Sequence, residues 1–298
     1  MKADYPWVRW MVLVMLLVGI TGCMIPIPSV EPITTVDTIE EVRTLQMEGA
    51  DRARIRLRLL SDQLVVRGGA QPPTLLQGRF HYNVEAWQPN IEQETDEGET
   101  RVTMNQGLGS QIPLGQGDIY QNAWEIDLAR GVPLDLGVDM GSGTATLNLG
   151  GLSLTRLLVM AGNTNLALTF DAPNPEPLGL LRLTAGTGNF NVSGLGYANF
   201  DRVSVAGGAG AVDLDFDGSF QRSALVDIKA GAGRITLRVP NSIGARATVS
   251  GTPLRTIDLE NFTESGENTY VNATYGEAPL TLTLRITAGL GKIELISY

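Results

Sequence analysis

One histidine, one cysteine and a short run of alternating aspartates are the residues whose types and spacing bear on chemistry in this 298-residue chain. A Ser–His–Asp or Cys–His arrangement would have to use His81. His81 alternates with Phe80 and Tyr82 in RFHYNVEAW, so strand periodicity turns it outward, as an exposed strand residue. Asp213-Leu214-Asp215-Phe216-Asp217-Gly218 opens like a calcium loop. Ala224 stands at the twelfth position in place of glutamate, so the bidentate ligand is missing. On a strand, Asp213, Asp215 and Asp217 share one face opposite Leu214 and Phe216; they are weak calcium candidates, and no metal or cofactor site is expected. A polysaccharide-degrading β-helix enzyme would need converging carboxylates, and Asp201, Asp213 and Asp215 have no companion Lys, Arg or His cluster in the sequence. The several Gly-x-Gly pairs do not lie between a strand and a helix, and Gly291-Lys292 lacks both the upstream glycine spacing and a following Ser or Thr. They read as turns, and the chain reads as a non-enzyme.

Cys23 is the only cysteine, which excludes intrachain disulfides and multi-cysteine zinc sites. Before it lie a weakly basic segment (Lys2, Arg9, with Asp4) and the uncharged run WMVLVMLLVGI at 10–20. That run suits an export-signal core and is short for a membrane span, which needs about 20 residues. Ile20-Thr21-Gly22-Cys23 resembles a bacterial lipobox, in which the thiol receives a diacylglycerol and cleavage falls between Gly22 and Cys23. The alternative is an uncleaved anchor with an incidental cysteine. The expectation is a lipoprotein, acylated at Cys23 and held on the extracytoplasmic face of a cell membrane or envelope.

The net charge of −10 and a pI near 4.7 argue against nucleic acid and against a polybasic grip on anionic lipid, leaving the covalent lipid to hold the membrane. Residues 23–37, with Pro26, Pro28 and Pro32, read as a tether. Beyond it the periodicity is two. Residues 53–59 (ARIRLRL) set Ile55, Leu57 and Leu59 against Arg54, Arg56 and Arg58, and similar runs follow at 78–85, 123–128 and 134–138. The acidic segment 91–100 (IEQETDEGET) reads as a loop. Trp87 and Trp124 are expected in the core of an N-terminal β-domain.

From Gly141 a repeat begins: MGSGTATLNL, MAGNTNLAL, TAGTGNFNV, GGAGAVDLDF, KAGAGRITLRV and TAGLGKIEL. One aligned glycine from each gives Gly141, Gly162, Gly186, Gly208, Gly231 and Gly289, at steps of 21, 24, 22, 23 and then 58 residues. A near-constant period in the low twenties marks a solenoid. Glycine is expected at these bends because it takes left-handed backbone angles and lets turns stack directly. The long step, from Asn241 to Ile286, reads as one extra turn plus a capping excursion. The fold expected is all-β: signal peptide 1–22, tether 23–37, N-terminal β-domain 38–138, and a glycine-turn β-solenoid at 139–298 with repeats of about 22 residues.

Several segments together resemble the toast-rack proteins: Tyr82-Asn83-Val84 with Trp87 and Pro89, NAWEIDL around Trp124, VPLDLGVDMGSGTATLNLGGLSLTRL from Val132, and YVNATYGEAPLTLTLRITAGLGKIEL from Tyr270. The C-terminal part of that family is similar to the LiaF-type "cell wall-active antibiotics response" domain and to adhesins of the same solenoid type. The resemblance spans most of residues 39–298; the copy at Met160 departs from it, with Thr164 in place of the second turn glycine. It implies an envelope β-solenoid acting as a binding, scaffold or adhesin-like module toward a protein or polymer partner. A cell-envelope stress-response regulator is the alternative.

Overall fold

The alternating segments all become strands, and the glycines mark where those strands bend. The computed structural model describes residues 34–107, 119–252 and 254–298. The signal segment, Gly22, Cys23 and the tether up to residue 33 lie outside the described residues. The first seven strands are β1 (Ile39–Gln46), β2 (Arg52–Leu59), β3 (Gln63–Ala70), β4 (Thr74–Tyr82), β5 (Asn90–Asp96), β6 (Glu99–Asn105) and β7 (Asn122–Ala129). Then follow β8 (Leu134–Asn148), β9 (Leu154–Thr169), β10 (Leu180–Thr187), β11 (Phe190–Ser193), β12 (Arg202–Asp215) and β13 (Ala224–Val239). The last are β14 (Gly244–Gly251), β15 (Arg255–Glu260), β16 (Phe262–Gly266), β17 (Thr269–Asn272) and β18 (Thr281–Ser297). Among the described residues no helix is long and apolar enough to cross a membrane.

The long strands cannot be straight. β8 has 15 residues, about 50 Å if extended. Yet β9 starts beside the first residue of β8 after a link of only residues 149–153, which reaches about 20 Å. Each long strand therefore doubles back at its glycines, giving a rung of two arms with the core between them. In β13 the first arm buries Ala224, Val226 and Ile228, and the second buries Ile235, Leu237 and Val239. Rungs pair in parallel register, so inward positions form columns: Val138 beside Val159, Leu183 beside Val205, Val205 beside Ile228, Ile228 beside Ile286. Each such side chain, fully buried, contributes roughly 1.5–3 kcal/mol.

The aligned glycines stack as the repeat implies, but for only one of the two reasons expected. A Cβ on Gly162 would lie 2.3 Å from the Gly141 carbonyl oxygen, one on Gly208 2.3 Å from that of Gly186, and one on Gly289 2.1 Å from that of Gly231. Close approach of backbones, not left-handed angles, excludes a side chain in this column. Positive φ falls two residues later, at Gly143 (111°), Gly188 (120°), Gly210 (132°), Gly233 (132°) and Gly291 (134°). Most turns thus carry two glycines, the second required by its positive φ as well as by close approach (a Cβ on Gly210 would lie 1.9 Å from the Gly188 carbonyl oxygen); at β9 Thr164 stands in that second place.

Both ends of the stack differ from the repeat. At one end β2 and β3 form a further rung on β8, Ile55 beside Leu136 and Leu64 beside Ala145. Its corner is Leu60-Ser61-Asp62, whose carbonyls accept from Ser142 N and Thr144 N. β8 itself runs unbroken through residues 138 and 139, and Thr34–Tyr298 is one compact unit. Beyond that rung, β6 and β7 continue the two arms in parallel, and β5, β4 and β1 add antiparallel edges. Residues 91–96, read as loop, are an edge strand; only Glu97-Gly98 make the hairpin tip. An edge strand with one face exposed and the other at most half-buried needs no strongly apolar side, so its composition hides it. At the other end the extra turn exists, as β14 and β15, but outside β18, which fills the slot beside β13. The β16–β17 hairpin then covers the outer edge of β14.

Candidate functional site

His81 lies on β4, partly exposed, between buried Phe80 and Tyr82, with its Nδ1 3.6 Å from Glu40 Oε1. Asp213 and Asp215 do face outward on the second arm of β12, opposite buried Leu214 and Phe216. Asp217 falls past the end of that strand, so the three do not share one strand face. Asp215 Oδ1 accepts from the Asp217 backbone N–H (3.0 Å) and the Tyr298 hydroxyl (2.9 Å), and burial with that bond pushes the Tyr298 phenol up. Among the described residues no group of three or more His, Cys, Asp or Glu is placed to hold a metal. Asp201 precedes the first arm of β12 and is held by Arg222 at 2.9 Å, on the far side of the bend from Asp213 and Asp215.

A cleft of about 920 Å³ lies on the first-arm side of the glycine corner. Its described lining includes Leu60, Met140 and Met160 with Gln106, Arg58 and Asp139 at polar positions. Gln106 closes the corner of the first rung: its Oε1 accepts from Leu60 N (2.8 Å) and Ser61 N (3.4 Å). Its buried Nε2 has no partner among the described residues. The sequence held no sign of this role, since Gln106 follows the end of a strand with no periodic signal.

The outer faces are the extended surfaces of the stack. Near the first rungs the arginines of ARIRLRL are answered by acids on neighbouring strands. Arg54 lies between Glu99 (3.5 Å) and Asp135 (3.3 Å), Arg56 is 2.9 Å from Asp135, and Arg58 is 3.4 Å from Asp139. Burial raises the Glu99 carboxyl, but Arg101, Arg54 and Arg52 outweigh it and hold the group below the ordinary carboxylate range. The second arm of β8, β9 and β11 turns only small polar or neutral side chains outward, among them Thr144, Thr146, Asn165 and Asn189. Asn189 Nδ2 donates to Asn165 Oδ1 at 3.2 Å, and Asn189 Oδ1 accepts from Ala211 N, tying three rungs together.

Doubled-back parallel rungs stacked in register around one apolar core define a β-solenoid, a class whose long outer faces favour binding. Residues 34–178 match the family described as the N-terminal domain of toast_rack. A putative cell adhesion protein from Clostridium sporogenes is similar over 88% of this chain and 100% of its own, with a TM-score of 0.50 and 22% identity, a likeness of fold. A putative adhesin from Bacteroides fragilis aligns over 87% of this chain and 97% of its own, with a TM-score of 0.40 and 11% identity. No curated protein matches the chain.

Proposed function

We propose that this chain is a lipid-anchored, extracytoplasmic, non-enzymatic module that presents its stacked rungs to a component of the cell envelope, in the manner of an adhesin or scaffold. The observation that carries the reading is the stack itself: eight rungs among the described residues, from β2–β3 to β14–β15, whose outward side chains line up from rung to rung. Such a surface is suited to an extended partner rather than to a small molecule in a pocket. The Ile20-Thr21-Gly22-Cys23 motif supports the anchor, with acylation at Cys23. The similarity of fold to a putative cell adhesion protein supports the adhesin-like role.

The test joins both halves of the reading. Cells fed labelled palmitate should label the wild-type protein and not Cys23→Ser, and the variant should leave the membrane fraction while keeping its melting temperature. Crosslinking in intact cells should recover an envelope protein or polymer. Label retained on the Cys23→Ser variant would overturn the anchor, and recovery of lipid alone would overturn the binding role.

A further inference from the structure

The first-arm outer face changes character along the stack. In the rungs from β9 to β14 it carries one basic residue on each of six successive rungs, staggered over three neighbouring outward columns: Arg156, Arg202 and Arg246 in one, Arg182 and Arg285 in the next, Lys229 in the third. All six side chains are exposed. Among the described residues only Arg285 has a carboxylate in reach, Asp227 at 4.0 Å; the other five have no ion-pair partner. Among the described residues Asp227 is the one acid at an outward first-arm strand position of these rungs; Asp201, which lines the cleft beside Arg182 and Arg202 just before β12, is paired with Arg222. Arg182 is beside Ser204, and Arg246 beside Thr283. In a chain with net charge −10 the band is a local reversal of sign. Rungs are about 4.8 Å apart, so the band extends about 24 Å along the stack axis. Two shallow clefts lie on it, one of about 550 Å³ beside Arg182 and Arg202, the other of about 440 Å³ beside Lys229, Arg246 and Arg285.

We infer that this band binds a linear polyanion, a polymer bearing a carboxylate or phosphate on each repeat unit, laid along the stack axis. The inference rests on the envelope-module reading above and names its partner class. Like charges held a rung apart repel, and a polymer of opposite charge relieves that repulsion while releasing its own counterions. The six charges form one narrow band, about 13 Å across, running along the stack; this favours a strand-like partner over a membrane surface, which would meet a broad basic patch. No aromatic side chain stands among the outward positions of these rungs, so there is no stacking platform for nucleic-acid bases.

The experiment titrates the purified full-length protein with polygalacturonate and, separately, with inorganic polyphosphate. Whichever polymer binds identifies the anion. The affinity should fall more than about tenfold between about 50 mM and about 200 mM salt. The combined variant Arg182→Gln, Arg202→Gln, Arg246→Gln should lose at least about tenfold in affinity with an unchanged melting temperature. Arg54→Gln, whose guanidinium is already held between Glu99 and Asp135, should bind as wild type. Binding of neither polymer, equal binding by the triple variant, or binding only to phosphatidylglycerol vesicles overturns the inference. A partner still recovered by crosslinking in cells would then leave the envelope-module reading standing, with contact through another face.

Discussion

The cap at the β1–β7 end and the repeated stack hold themselves together by different means. The cap closes on large rings: Trp124 is fully buried, meets Phe80 edge-on at 5.2 Å and donates from Nε1 to Asn122 Oδ1, and Trp87 lies 5.7 Å from Tyr120. The stack holds no tryptophan; it packs Leu, Val and Ile in columns, with Phe170, Phe190 and Phe216 buried singly on separate rungs, and brings backbones into contact at glycine corners. Stability in the cap resides in a few bulky side chains, whereas in the stack it is spread over rungs and depends on atoms being absent.

The comparison can be broken at its most sensitive points. Trp124→Ala should cost about 3–5 kcal/mol, because it removes a fully buried indole from a core that cannot collapse around the void. Denaturant titration reads this directly, and a loss below about 1 kcal/mol would mean that the cap is not organised around this ring. Gly210→Ala should cost about 3 kcal/mol for the opposite reason, the arrival of an atom. Its Cβ would lie 1.9 Å from the Gly188 carbonyl oxygen, at a φ of 132°. Three residues earlier Gly207 has nothing nearer than Val212 Cγ2 at 3.9 Å, so Gly207→Ala should be neutral or stabilising by up to about 1 kcal/mol. Equal effects at Gly207 and Gly210 would refute the stacking account of the corner.

The same contrast explains what could be read in advance. The column from Gly141 to Gly289 was legible because direct stacking forbids a side chain, and a forbidden side chain leaves a periodic mark in the sequence. The first rung left no such mark. A Cβ in this column points at the preceding corner, and Leu60 has no glycine corner before it because β6 and β7 are separate strands, so its side chain is tolerated and about half exposed. Asp62 keeps the left-handed geometry of the second column without glycine (φ 94°), supported by its Oδ2 accepting from Asn122 N at 2.7 Å. The place of β18 between β13 and β14 was hidden because period-two alternation specifies a face and not a neighbour. Of the candidate sites, the outward setting of Asp213 and Asp215 followed from alternation. The basic band from Arg156 to Arg246 did not, since its members lie 17 to 39 residues apart in sequence and only the stacking of rungs brings them onto one face.

Alkaline pH should weaken the cap through Tyr82. Burial, then the hydrogen bond from its hydroxyl to Glu41 Oε2 and the charge of that carboxylate, push the phenol up to about 12. A pKa raised from the ordinary 10 stabilises the fold fully below pH 10, and that contribution is lost as pH rises toward 12. The unfolding midpoint should therefore fall across that window, and Tyr82→Phe should flatten the fall. Ultraviolet difference absorbance showing Tyr82 ionised at pH 10 would contradict the assignment.

Thr164 offers the smallest effect and the sharpest view of the corner. It occupies the glycine column of positive φ, yet its own φ is not positive, and it is 1% exposed with a hydroxyl that has no partner among the described residues. A buried unpaired hydroxyl costs about 1–3 kcal/mol, and valine has nearly the same shape. Thr164→Val should therefore stabilise by about 1 kcal/mol, raising the melting temperature by about 2–4 °C. A loss of stability would mean that this corner holds a water bridging the hydroxyl to the next rung. The turn at β9 would then differ from its neighbours in how it is solvated rather than only in lacking a second glycine.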